Sequence, residues 1–249
     1  MKAPRVRRVL RIAVALAAIT FAIVSYTWVT LPDVRPLART PPQSTAFMKL
    51  REDQAADQER TVRRRHRWVS YDRISPHLKR AVIVAEDSAF WQHEGLDFDE
   101  IRASFETNWE TGSFLRGAST ITQQLAKNLY LSPSRNPYRK VRDLFIARRL
   151  EAVLSKRRIF ELYLNLIEWG DDVWGAEAAA RAHFGVSAAD LGPEQAALLA
   201  GAIINPRVYS PSRPNARLLR RQAIILRRMG SVTPPEGPPQ APAEPAIPR

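Results

Sequence analysis

The uncharged run from Ile12 to Leu31 limits what this chain can become more than any other stretch. As a helix it rises about 30 Å, the thickness of a bilayer's hydrocarbon layer. Lys2, Arg5, Arg7, Arg8 and Arg11 precede it. A cleavable signal has a shorter apolar core ending in small residues, whereas this run continues through Phe21, Tyr26 and Trp28, so an uncleaved anchor is expected. The basic residues hold residues 1–31 with their amino end in the cytoplasm and put everything after Leu31 on the outer face of an inner membrane. The net charge of +13 predicts attraction to polyanions, and that location favours anionic lipid or a phosphorylated substrate over nucleic acid. With no cysteine, disulfides, thiolate metal sites and cysteine nucleophiles are excluded together.

Residues 32–67 mix prolines, glutamines and both signs of charge without a sustained apolar period, which predicts a tether ending in the basic run Arg63 to Arg67. Residues 68–230 carry the periodic segments of one mainly α domain. The spacing predicts helices from Leu78, over Arg139 to Leu154, Arg158 to Glu168, Gly175 to Phe184, Pro193 to Ile204 and Asn215 to Met229. No stretch alternates like a strand for long. Residues 96–116 hold Phe98, Phe105, Trp109, Phe114 and Leu115 in weak pattern, as a flap or membrane-dipping surface would. Residues 231–249, mostly Pro, Ala, Glu and Gly, predict a disordered tail.

The chemistry concentrates in Gly117 to Asn128. Ser119, Gln123 and Lys127 recur every four residues and form one polar row on a helix, with Thr120 and Gln124 beside it. Such a row suits an oxygen-rich ligand, and the plainer reading is a solvated helix with a serine cap. Upstream, the apolar run Ala81 to Ala85 ends in Glu86 and Asp87. A glutamate at the rim of an apolar wall has its pKa raised toward the range of a general acid or base, unless an arginine pairs with it. Asp87 and His93 fit a structural role in the turn that ends at Gly95. Asp143 stands among Arg139, Lys140 and Arg142 and fits either a pair with Arg139 one turn back or a phosphate-handling pocket.

Taken together, these blocks resemble the peptidoglycan glycosyltransferase domain, glycosyltransferase family 51, over about Ser70 to Arg213. They are Glu86-Asp87-x-x-Phe90-x-x-His93-x-Gly95, then Gly117-x-Ser119 through Gln124-Leu125-x-Lys127-Asn128, then Arg139-Lys140. Ser155-Lys156 with Glu161-x-Tyr163-Leu164-Asn165 follows, and Gly175 through Ala180 leads to Phe184-Gly185. Glu168-Trp169-Gly170 and Asn205-Pro206-Arg207 look more like the stand-alone enzymes, and no Ser-x-x-Lys occurs to mark a penicillin-binding transpeptidase.

The resemblance implies a lysozyme-like, two-lobed helical fold and polymerisation of lipid II with release of undecaprenyl pyrophosphate. It assigns Glu86 as the base and Lys127, Arg135, Arg139 and Arg142 as cations for the diphosphate. Ser119, Thr120, Gln123, Gln124 and Asn128 would orient sugars and phosphates. Asp143 stands where the family carries its second active-site glutamate, a departure that shortens the carboxylate's reach. A divalent cation, Mg or Mn, is a possible cofactor; lipid II, the growing glycan strand, the membrane and other wall-synthesis proteins are the implied partners. The rival readings are a lysozyme-like lytic transglycosylase and a non-catalytic wall scaffold.

Overall fold

The structure, a computed structural model, describes residues 3–61, 63–111, 119–130 and 137–230. It is mainly α, as expected. Helix α1 (Ala3–Val29) is long and apolar enough over Leu10–Val29 to cross a membrane, and leaves side chains such as Leu16, Phe21 and Val29 exposed. Thr27 is the exception. It is fully buried, and its hydroxyl lies 2.9 Å from that of Tyr138 on α6 (Pro137–Val153). Trp28 meets Phe145 edge-on at 6.4 Å, and Arg142 donates to the Thr30 carbonyl at 3.2 Å. The end of the apolar helix is therefore docked on α6.

The expected tether is instead a built part of the domain. A 3₁₀ turn at Arg35–Ala38 and helix α2 (Ala46–Ala56), capped by Thr45, bury Val34, Leu37, Met48 and Ala55. Arg158 locks the turn in place by donating to the Leu37 carbonyl at 2.7 Å. These anchors are too widely spaced to form a period, which is why the segment reads as a spacer.

Two groups of helices frame the rest. One packs α3 (Pro76–Glu86) against α9 (Pro193–Ala202) and α10 (Ala216–Met229). The other packs α5 (Ile121–Tyr130) against α2, α6 and α7 (Lys156–Leu166). Leu78, Val82, Ile83, Ile121, Leu125, Phe160 and Leu164 are among the buried apolar residues of one continuous core. At about 1.5–3 kcal/mol for each large apolar side chain removed from water, this core is the main source of stability. Residues 98–111, weakly patterned in sequence, form α4 (Phe98–Thr111), with Phe98 exposed. The remainder of the expected flap, residues 112–116, the start of the polar segment, 117–118, and the tail, 231–249, lie outside the described residues.

After α7 the chain leaves the helix two residues earlier than expected. Glu168–Gly170 (β2) pairs antiparallel with Val173–Trp174 (β3), and β3 pairs parallel with Arg65–His66 (β1) in the order β1-β3-β2. Strands of two or three residues are below what an alternation test detects. Helix α8 (Ala176–Phe184) follows. Buried Asn165 binds the strand-like entry segment at both polar ends: its Oδ1 accepts from Val69 N and its Nδ2 donates to Val69 O, each at 3.0 Å.

Gly175 is the tightest point of this arrangement. Its φ is +82°, and a Cβ there would stand 2.6 Å from the Asn165 carbonyl oxygen. Gly175→Ala is expected to lower unfolding free energy by about 2 kcal/mol or more, read as a lower denaturant midpoint with unchanged slope.

Candidate active site

Helix α3 ends at Glu86 because Asp87 leaves the helical region, with φ −164° and ψ 81°. The Asp87 side chain then serves two groups. Its carboxylate lies 3.0 and 3.1 Å from His93 Nε2 and accepts from the Ile121 backbone N–H at 2.9 Å. Gly95 N donates to His93 Nδ1 at 3.1 Å, so the imidazole proton sits on Nε2 and is donated to Asp87. The turn itself needs Gly95, whose φ is +87°. The structural role expected for Asp87 and His93 is what the geometry shows. Asp87, His93 and Asp97 also form a group close enough to share a metal, but the Asp87 oxygens are already committed to His93 and the start of α5.

The first turn of α5 is closed by Thr120 rather than by a serine cap. Thr120 Oγ1 accepts from Gln123 N at 3.2 Å and donates to the Gly95 carbonyl at 2.7 Å, while Gln123 Oε1 accepts from Thr120 N at 3.3 Å. This is a reciprocal capping box, with Asp87 adding a negative charge at the positive end of the helix. Thr120 is thus spent on the fold. Gln123, although it lines the cleft, has its carbonyl oxygen turned back into the cap.

Gln124 faces the other way and organises Glu86. Tyr163 donates its hydroxyl proton to Gln124 Oε1 at 2.8 Å, which orients the amide so that Nε2 donates to Glu86 Oε2 at 2.9 Å. Glu86 is half-buried and lines two adjoining cavities, of about 500 Å³ and about 520 Å³. Ser119 and Gln124 are shared by both cavities with it. Burial raises the Glu86 pKa above the ordinary glutamate value, and the Gln124 hydrogen bond opposes that shift. No arginine is salt-bridged to Glu86 among the described residues.

The first cavity is cationic. Lys127, Arg139, Lys140 and Arg51 line it together with Asn128, Asp143 and Glu168. Arg139 and Asp143, one turn apart on α6, do not pair: Arg139 Nε and Nη1 and Asp143 Oδ1 are buried with no hydrogen-bond partner among the described residues. Buried polar atoms without partners are uncommon, and a set of them in one cleft fits a polar ligand. Burial raises the Asp143 pKa, against Arg139, Lys140 and Lys127. Burial and Arg139 lower the Lys127 pKa, and Asp143 raises it. As metal donors these residues are a poor fit, since Asp143 faces three cations and the other two carboxylates, Glu86 and Glu168, are already bound to Gln124 and Arg51.

One of the expected cationic residues is not part of this cleft, and another falls outside the described residues. Arg142 points to the end of α1, donating to Thr30 O, and does not line the cavity. Arg135 lies outside the described residues. Glu151, which accepts from Thr122 at 2.6 Å and Lys156 at 2.8 Å, is likewise structural. The cleft residues that sequence reasoning missed are Phe47, Arg51 and Tyr163, together with Ile167, Glu168 and Ile203 to Pro206. Only Tyr163, Glu168, Asn205 and Pro206 carried a signal, inside motifs quoted for resemblance alone.

This is a helical domain with one tuned carboxylate beside a bank of fixed cations, the equipment of a transferase acting on an anionic donor. The Transglycosylase family model matches residues 51–230. Relatives named biosynthetic peptidoglycan transglycosylase are similar over most of both chains. The one from Nitrosospira multiformis is 49% identical over 194 residues, 78% of this chain and 84% of its own length. That from Dechloromonas aromatica is 51% identical over 188 residues, 76% and 81%. That from Chromobacterium violaceum is 45% identical over 217 residues, 87% and 95%. The chain belongs to the transglycosylase family, whose fold is lysozyme-like.

The charge balance in the cleft is directly measurable. Asp143→Asn removes the negative charge that favours the Lys127 ammonium, so the Lys127 pKa is expected to fall further. Nitrogen-detected NMR titration of Lys127 Nζ in both proteins checks the direction.

Proposed function

We propose that this chain polymerises peptidoglycan glycan strands from lipid II, releasing undecaprenyl diphosphate, at the outer face of the inner membrane. The observation that carries the reading is the placement of Glu86, presented by Gln124 at the junction of two cavities, one of them lined by Lys127, Arg139 and Lys140. Two sugars have to meet at such a junction.

Glu86 takes the proton from the acceptor sugar's 4-hydroxyl as that oxygen attacks the donor's anomeric carbon with inversion. The carbon–oxygen bond to the diphosphate breaks on the opposite face. Charge grows on the departing oxygen, and cations already fixed in place stabilise it without reorganising. Ser119, Gln124 and Asn128 orient the polar groups of the two substrates, and Arg135 adds to the cations. Asp143 offsets the positive charge around Lys127 and Arg139; no step is routed through a metal.

The docking of α1 on α6 supports a lipid-linked substrate, because α6 carries Arg139 and Asp143 into the cleft while its other side receives the anchor. The basic residues ahead of the apolar run support the outward orientation. The cationic cavity counts against the lytic alternative, in which no diphosphate leaves.

Polymerisation of purified lipid II in detergent micelles tests the assignment. Glu86→Gln is expected to reduce the rate by about 10²–10⁴-fold without loss of fold, the range for removing a positioned base. The base works as the carboxylate, so the rate should fall as pH drops through the raised Glu86 pKa, above the ordinary glutamate range. Gln124→Leu removes the hydrogen bond that favours the charged form and should move that acid limb to higher pH.

A further inference from the structure

One wall of the cationic cavity comes from helix α2, where the family-matched region begins. Helix α2 supplies Phe47 and Arg51, and the match begins at residue 51. Arg51 is held with unusual thoroughness for a residue in a former spacer. Its Nε and Nη2 donate to Glu168 Oε2 at 3.2 and 2.9 Å, and its Nη1 donates to Gln54 Oε1 at 2.9 Å. The guanidinium carbon lies 4.9 Å from the centre of the Phe47 ring, which in turn stands edge-on to Trp174 at 6.1 Å. Lys127 Nζ approaches the same ring at 6.0 Å, so Phe47 ties Arg51 to the cations of the cleft.

These contacts fix the guanidinium plane without using it up. A guanidinium has five N–H groups, and three of them are accounted for by Glu168 and Gln54. The Arg51 side chain keeps 23% of its surface exposed, whereas that of Glu168 keeps 5%. Glu168 is therefore a buried anion at the rim of a cavity built to receive an anion. Burial raises its pKa and Arg51 opposes the shift, as expected for a carboxylate that depends on this partner.

We infer that Arg51 is a further substrate-binding residue. Its remaining N–H groups bind phosphate oxygens of the lipid-linked substrate, while Glu168 orients the guanidinium and competes with the substrate for its charge. This rests on the reading that the cleft takes a diphosphate. A purely structural latch between α2 and β2 would make a different prediction, because removing either partner would then do the same harm.

The experiment compares wild type, Arg51→Ala and Glu168→Gln as full-length chains in micelles, with two readouts: lipid II polymerisation kinetics and calorimetric affinity for inorganic pyrophosphate. Loss of a charge-assisted hydrogen bond of about 1.5–3 kcal/mol corresponds to a roughly 10- to 150-fold effect. Arg51→Ala should raise KM and weaken pyrophosphate by at least about tenfold, with kcat changing much less. Glu168→Gln should lower KM and tighten pyrophosphate, since the competing anion is gone while the oxygen acceptor remains. Wild-type affinity in Arg51→Ala, or a parallel loss in both variants, overturns the inference. Failure of the wild type to polymerise lipid II would instead overturn the proposed function, with the pyrophosphate readout still deciding the role of Arg51.

Discussion

The carboxylate of Asp87 is the joint on which the site depends. One buried residue ends α3, accepts a hydrogen bond from His93 and occupies the positive end of α5 through Ile121 N. Those contacts bring the last residue of one helix and the first turn of another into fixed register. Glu86 and Gln124 then face each other as a consequence, and Tyr163 decides which end of the amide Glu86 sees. Charge-assisted hydrogen bonds of this kind contribute more than neutral ones, and leaving one partner buried and unpaired costs more than the bond contributes. The rigidity that positions the base thus comes from hydrogen bonds behind Glu86.

Charge in the cleft is arranged on the opposite principle. Asp87 is saturated, whereas Arg139 and Asp143 sit one turn apart with atoms left unpaired. An ion pair between them would be the ordinary outcome on an exposed helix face. Keeping the arginine's donors unclaimed leaves positive charge available for a ligand, and the neighbouring carboxylate limits how far Lys127 is driven toward its neutral form. Glu168 plays a comparable part for Arg51 on the facing wall.

Much of this was legible in the sequence because it lies in long periodic helices or in tight motifs. Glu86 at the end of an apolar run, the Asp87–His93–Gly95 turn and the polar face of α5 could all be read from local spacing. The part Thr120 and Gln123 play in the fold was not legible because a capping box and a binding row use the same residue types, and only the direction of each side chain separates them. Arg142 shares a helix with Arg139 but points to the anchor, a difference of rotation set by tertiary packing. The segment taken for a tether failed for another reason: its residues contact α5 more than sixty positions away, and α7 and β3 more than a hundred away, which no local window can register. Gly175, by contrast, was quoted only as part of a motif, and its necessity lies in the nearness of the Asn165 backbone.

The proposed chemistry requires Glu86 to be a carboxylate tuned by burial and offered to the cleft. The most direct measurement is a carbon-13 NMR titration of the Glu86 side-chain carboxyl in the full-length protein, assigned through its loss in Glu86→Gln. A midpoint above the ordinary glutamate range, coincident with the acid limb of polymerisation, is the predicted result. A midpoint at or below that range, or one unrelated to the acid limb, would contradict it.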